Sequence, residues 1–501
     1  MHHATSDYGH ETRDGGAGSV DRRQPHAADP APPGAPAPST LDSTQSKCCP
    51  PPLTSDDVRR QRWEARALLW RASLLKAVRC CGAQGMVERL DDGSTAERQH
   101  VTIRRYSSSE SRVAGVGGLM SCGSVWACPR CSALVAFERA RDLARVFERC
   151  KSLRGRAFLL TLTLRHSRAD DLASLWQLLS AGWRAAFGTR SWTGSDATAT
   201  RGRRIGDRER FGVGGLVRVV EATVSRPGEG SGWHVHIHCV VFCIGGLTSG
   251  LCEEWAGSLA DAGVEAPIDS AWLSMQLFFC RVIRRWSVGV EGAGGAPVLG
   301  AACDIRPIDL EEDQFLSRYL AKSTYSAALE VSAGQPVKIA HNDRMAPFEL
   351  LAELVAVGPS FGVRTPKSWS IAEAGEGFGI VDHSTGETEQ ISSPGLWRLW
   401  HEWEVASKGR RQIMWSRVRR DDGQASHFWN ELMDARGKLA EDEEVVRRSA
   451  YGEFVASIPI SVWTGHLVWR PNEISQLVSA ASIGDEEFRR VSELLGIEND
   501  Q

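Results

Sequence analysis

Three histidines at every second position, His234, His236 and His238 in WHVHIHCVVF, could hold a metal between them. Successive side chains of a strand point to opposite faces, so all three would project from one face at steps of roughly 6 to 7 Å. Val235, Ile237, Val240 and Val241 give such a strand something to bury. Glu221, in VRVVEATVS, lies across the turn-forming SRPGEGSG, where antiparallel pairing would bring a carboxylate beside the imidazoles. A carboxylate with two or three imidazoles suits Mn²⁺, Mg²⁺, Fe²⁺ or Zn²⁺. A packed histidine and an exposed strand glutamate are the ordinary alternatives.

The chain has five tyrosines, so candidates for a tyrosyl nucleophile are few. In SRYLAKSTY, Tyr319 and Lys322 stand three residues apart, which puts phenol and ammonium on one helix face. A cation there favours phenolate and could steady the phosphate under attack. A core tyrosine beside a surface lysine would read the same way.

Cys122, Cys128 and Cys131 stand in C-x5-C-P-x-C, a tight spacing that resembles half a zinc ribbon. Cys81, in CCGAQG, is the best fourth ligand because the following glycine lets the backbone turn under a metal; Cys80 is the alternative. Four thiolates make a closed, structural zinc site. Cys239, Cys243, Cys252, Cys280 and Cys303 read as packing residues.

These residues need elements to position them. At 501 residues the chain can carry more than one core. With 59 Lys plus Arg against 62 Asp plus Glu it is no polycation, but local basic patches remain open. Residues 1–57, rich in Pro, Ala and Ser, read as a disordered tail. Residues 58–150 open on an amphipathic helix, VRRQRWEARALLWRASLLK, and hold the cysteine-rich segment. Residues 151–330 alternate strands and helices in an α+β order, with a hairpin near the centre and the tyrosine helix at the end. Residues 331–501 read as mainly helical, broken at 376–395. No signal peptide or bilayer-length apolar run is apparent, and the odd cysteine count argues for thiols or metal ligands. A cytoplasmic protein with no membrane contact is expected.

The combination carries more than its parts. A His-x-His strand followed by a helix with Tyr-x-x-Lys resembles the HUH endonucleases. Closer still is the resemblance to rolling-circle replication initiators of plasmids from Gram-positive and actinobacterial hosts. LTLTLRH at 160–166, VVEATVSRPGEGSGWHVHIHCVVF at 219–242 and RYLAKSTY at 318–325 carry it, in the family's order. CGSVWACPRCSA at 122–133 and LWHEWEVASKGRRQIMWS at 399–416 add to it. The resemblance implies a central antiparallel sheet flanked by helices, with His236 and His238 as the metal pair and Tyr319 as nucleophile. His234 and Glu221 are possible further ligands, with Mg²⁺ or Mn²⁺ as the ion. The family's single-tyrosine members would place a glutamate where Phe315 stands. Glu312, two helical turns before Tyr319, is the substitute on this reading, with Tyr325 or a second protomer as alternatives.

The basic loop RGRRIGDRER offers Arg201, Arg203, Arg204, Arg208 and Arg210 to DNA, and KGRRQIMWSRVRR adds cations with Trp415, although a charge run is often just a solvated face. Origin DNA, duplex and melted, a host helicase, a polymerase and a second copy of the chain are the implied partners. A transposase or relaxase of the same chemistry, and a zinc-stabilised DNA-binding regulator, are the competing readings.

Overall fold

The computed structural model describes residues 55–89, 92–107, 112–244, 270–296, 303–310, 344–357, 369–374, 377–382, 385–390, 393–417, 423–437 and 452–497. All lie in the compact unit Pro52–Gln501. The expected tail lies outside the described residues up to position 54, as do Glu312, Phe315, Tyr319, Lys322 and Tyr325.

Helices α1 (Ser55–Ala72) and α2 (Lys76–Cys80) precede strands β1 (Val87–Arg89), β2 (Thr95–Glu97), β3 (His100–Ser107) and β4 (Arg112–Gly117). Then come α3 (Pro129–Ser152), β5 (Gly155–Thr163), α4 (Leu172–Phe187), α5 (Arg190–Thr193), α6 (Asp207–Arg210), β6 (Val213–Ser225) and β7 (Trp233–Ile244). These are followed by α7 (Ser270–Glu291), β8 (Asp304–Ile308), β9 (Arg344–Met345), α8 (Pro347–Val357), β10 (Trp369–Ala374), β11 (Gly377–Asp382) and β12 (Thr388–Gln390). The chain continues through α9 (Pro394–Ser407), β13 (Ile413–Trp415), α10 (Gln424–Arg436), β14 (Glu453–Pro459), α11 (Ile460–Gly465), α12 (Pro471–Ile483) and α13 (Asp485–Leu494). The expected break at 376–395 overlaps the small β10-β11-β12 sheet.

The fold is α+β, and the central sheet is antiparallel, in the order β13-β6-β7-β5-β8 with β9 on β6. Alternation along its strands builds two different faces. Phe158, Leu160 and Leu162 of β5, Val220 and Ala222 of β6, and Val235, Ile237 and Cys239 of β7 point into one large core, with α4, α7 and α9. The other face is apolar only at one end. There Leu159, Val217, Val219, Val240 and Phe242 pack under α3 and α10 through Leu143, Val146, Phe428 and Trp429. Gly215 admits Trp429, since a Cβ would come within 2.1 Å of its ring. Further along the same face the apolar residues give way to Thr161, Thr163, Glu221, His236 and His238. The site therefore sits where the apolar cover ends.

The β6–β7 hairpin turns through Gly228, Gly230 and Gly232, all in the left-handed region that only glycine enters cheaply. Arg168 Nη2 donates to the carbonyls of Gly228 and Gly230 and holds the turn.

A second core is built around the sheet β14-β3-β4. Val101, Ile103, Val455 and Ile458 pack there on Trp463, Ile474, Leu477 and Phe488. Helix α1, expected to be amphipathic, is buried on two sides: Leu68 and Leu69 enter the first core, Trp63, Ala67 and Trp70 the second. The last part of the expected 331–501 region thus completes the 58–150 region, because β14 supplies the edge partner that β3 needs.

Candidate metal centre

Strand register brings the candidate donors together. Glu221 faces His236 across β6 and β7, Thr163 faces His236 across β5, and Thr161 faces His238. Glu221 Oε2 lies 2.9 Å from His236 Nε2 and 3.2 Å from His238 Nε2. The two Nε2 atoms are 3.0 Å apart. Ligand bonds of about 2.1 Å put neighbouring donors on an octahedron about 3 Å apart. The three atoms are spaced closely enough that Glu221, His236 and His238 would hold one divalent ion between them.

Protonation suits this use. Burial opposes ionisation of Glu221, but the charge and hydrogen bonds that His236 and His238 supply when protonated outweigh it and bring its pKa down to about 2; a cation held in their place would replace those protons. Burial lowers His238. A carboxylate and a neutral imidazole are the forms that bind metal.

Beyond the donors stands a second layer that the sequence reading did not assign. Thr161 Oγ1 lies 3.3 Å from His238 Nδ1. It can accept the Nδ1–H and leave Nε2 bare, the usual way a neighbour fixes a ligating imidazole. Among the described residues, His236 Nδ1 is buried with no partner. His234 is not gathered with the other donors. Its Nδ1 lies 2.8 Å from His166 Nε2, and its ring is 5.1 Å from that of His236. Burial, followed by the charges of His236, Arg344 and His166, lowers the His234 pKa to about 3. Of the two possible further ligands to the His236 and His238 pair, Glu221 is gathered with them and His234 is not, being turned towards the exit of β5. Both outer residues stand in LTLTLRH, where the alternation of Thr161 and Thr163 with leucines is the available signal.

The cysteine cluster is equally tight. Cys81 Sγ is 3.7 Å from Cys128 Sγ and 3.6 Å from Cys131 Sγ, and Cys122 Sγ is 3.7 Å from Cys131 Sγ. Metal–sulfur bonds of about 2.3 Å in a tetrahedron put sulfurs about 3.8 Å apart. Cys80 is not gathered with these four thiols. Gly82 has φ +70°, and a Cβ there would collide with the Arg66 guanidinium, which donates to Cys81 O. Hydrogen bonds from Cys122, Cys128 and Cys131 hold Cys81 well below the usual thiol range. Arg66 lies 3.8 Å from Cys81 Sγ, and the charge of the four sulfurs also favours cationic Arg130 despite its burial. Two cations would offset the negative charge that four thiolates leave on a divalent ion.

The basic loop, although it leads directly into the strand that carries Glu221, does not join it beside the donors. It enters β6 at Val213, which pairs with Cys243, whereas Glu221 lies eight residues further along the strand. At about 3.3 Å per residue that is roughly 26 Å, so the point where the loop joins β6 is at the far end of the sheet from the donors. Arg201, Arg203 and Arg204 are exposed and Arg208 and Arg210 half-buried. Arg203 pairs with Glu209, and Arg208 donates to Val213 and Gly214 carbonyls. In the second basic run, β13 forms an edge of the central sheet and Arg436 lies over Trp415.

A Glu-His-His donor set on an antiparallel sheet, with a separate tetrathiol cluster, defines a protein with two candidate metal centres of different character. The chain is 30% identical over 326 residues to the protein named Protein rep of Streptomyces lividans, covering 60% of this chain and 63% of that relative. It is 36% identical over 146 residues to the protein named Neomycin resistance protein of Streptomyces cyanogenus, covering 26% of this chain and 32% of that one. No family model and no solved structure matches the chain. The chain is a homologue of the Streptomyces Rep protein and spans somewhat under two thirds of that relative's length.

Proposed function

We propose that this chain initiates plasmid rolling-circle replication by nicking one strand of origin DNA. The observation that supports this most is the donor triangle of Glu221, His236 and His238, with edges of 2.9, 3.0 and 3.2 Å, in a Rep homologue. A bound Mg²⁺ or Mn²⁺ supplies Lewis-acid polarisation of a phosphate oxygen. On this reading the phenol oxygen of Tyr319 attacks the phosphorus, the bond to the 3′ oxygen breaks, and the products are a 5′-phosphotyrosyl link and a free 3′-OH. Lys322 favours the phenolate, and Glu312 serves the terminating cleavage. Zn²⁺ in the Cys81, Cys122, Cys128 and Cys131 cluster is structural.

Arg201, Arg203 and Arg204, exposed on the loop that leads into β6, contact the phosphates of the origin duplex. A host polymerase extends the 3′-OH, and a host helicase opens the duplex. The test is incubation with Mn²⁺ and supercoiled plasmid carrying the origin. The wild type is expected to leave a protein-bound 5′ end and Tyr319→Phe none. An adduct in Tyr319→Phe would remove the nucleophile assignment, and absence of nicking by the wild type would favour a DNA-binding regulator.

A further inference from the structure

The end of β5 and the start of β7 carry a chain of hydrogen bonds whose direction, with both imidazoles neutral, is set by a backbone carbonyl. Ser231 O lies 3.1 Å from His166 Nδ1. A backbone carbonyl can only accept, so His166 carries its proton on Nδ1. The other nitrogen of a neutral His166 is then a bare acceptor, and it lies 2.8 Å from His234 Nδ1. His234 must therefore donate from Nδ1, which leaves its own Nε2 without a proton. The His234 ring stands beside that of His236, at 5.1 Å between centroids and 44° between planes. The carbonyl that starts the chain belongs to the glycine turn held by Arg168, so the direction is set by the backbone of the hairpin.

We propose that His166 is a positioning residue of the nicking site: it fixes the tautomer of His234 and so keeps Nε2 as a hydrogen-bond acceptor for the hydroxyl of an incoming group. His166 touches neither Glu221, His236 nor His238 by any hydrogen bond among the described residues. It acts through His234 alone. Thr161 Oγ1 stands likewise beside His238 Nδ1, so β5 and the residues just after it supply a hydrogen-bond partner to two histidines of β7. The assignment of the acceptor's use rests on the proposed nicking reaction, whereas the tautomer itself does not.

Two substitutions separate a directed hydrogen bond from mere packing. Gln at 166 offers a carbonyl oxygen to the His234 Nδ1–H and an amide N–H to Ser231 O, whereas Leu fills similar space with neither. Full-length wild type, His166→Gln and His166→Leu are labelled with ¹⁵N-histidine, with His234→Gln to assign the resonance. Imidazole ¹⁵N shifts then report which nitrogen of His234 is protonated, and single-turnover nicking of supercoiled plasmid is measured with Mn²⁺. The expected result is a bare His234 Nε2 in wild type and His166→Gln, lost in His166→Leu, with nicking about 10–100-fold slower in His166→Leu and largely rescued in His166→Gln. Unchanged tautomer or wild-type nicking in a folded His166→Leu overturns the proposal, and so does a Gln variant as slow as the Leu one. Should the wild type bind DNA without nicking, the replication reading falls while the ¹⁵N shifts still judge the role of His166.

Discussion

Buried titratable side chains set the behaviour of this protein with pH as well as its chemistry. Glu404 is wholly buried, accepting from Ser73 Oγ and, at 2.8 Å, from Leu74 N. Burial, only partly offset by these bonds, raises its pKa to about 7 from a reference of 4.5. Between those values the folded chain holds a proton that the unfolded chain has released, so stability falls as pH rises through this window. At 1.36 kcal/mol per unit the contribution present below pH 4.5 and lost above pH 7 is roughly 3 kcal/mol. Glu404→Gln keeps an acceptor for Leu74 and adds a donor for Ser73 without the titration. Urea midpoints at pH 5 and pH 8 should therefore differ by less in Glu404→Gln than in wild type, with the variant the more stable at pH 8. Equal pH slopes in the two proteins would contradict the assignment.

At the scale of elements, α9 is the tie that joins otherwise separate pieces. His401 reaches Ala72 O at the end of α1, Trp403 Nε1 donates to Trp126 O, and Glu402 accepts from Trp233 Nε1 and Leu172 N. Trp233 also stacks on Trp403, with 5.7 Å between ring centroids. The LWHEWEV segment thus fixes where β7 begins, and with it the register of the histidines. The cysteine cluster is a second tie, holding the residue after α2 against the start of α3. Cys131 is fully buried, and metal binding to such a cluster is coupled to local folding. We expect about one zinc per chain in protein purified without chelator, near zero in Cys131→Ser, and a lower Tm in that variant. Full zinc retention in Cys131→Ser, by elemental analysis, would show that the four thiols do not form the site.

Across the whole molecule, the second core joins residues hundreds of positions apart. Arg105 on β3 is 3% exposed and donates to Ala481 O at 2.6 Å, to Asp485 and to Glu453. Loss of that guanidinium leaves a carbonyl unsatisfied and two carboxylates unpaired. The cost expected for Arg105→Ala is about 1.5–3 kcal/mol, the range for hydrogen bonds made by charged groups, with the exposed carboxylates contributing least. Denaturant midpoints measure it, and limited proteolysis should release the 452–497 segment earlier than in wild type. A midpoint unchanged within error would mean that the apolar contacts of β14, α12 and α13 alone hold the segment.

Several features were legible in the sequence because they depend on local chain geometry. The period of two put His236 and His238 on one face of β7, and the Cys-Gly step at 81–82 marked a turn beside the thiols, whereas the meeting with Glu221 follows from the β6–β7 register. Others depended on packing partners that no local pattern names. The pairing of His234 with His166 depends on a residue beyond the end of β5 that is itself held by a carbonyl of the hairpin turn. The distance from the donors to the point where the arginine loop joins β6 follows from the length of that strand. The burial of α1 on two sides follows from the return of β14 to β3. Sequence by itself determined which side chains share a strand face, since alternation is a property of the backbone. Only the tertiary structure decided which of them meet, because hydrogen-bond direction and strand register are set by neighbours remote in the chain.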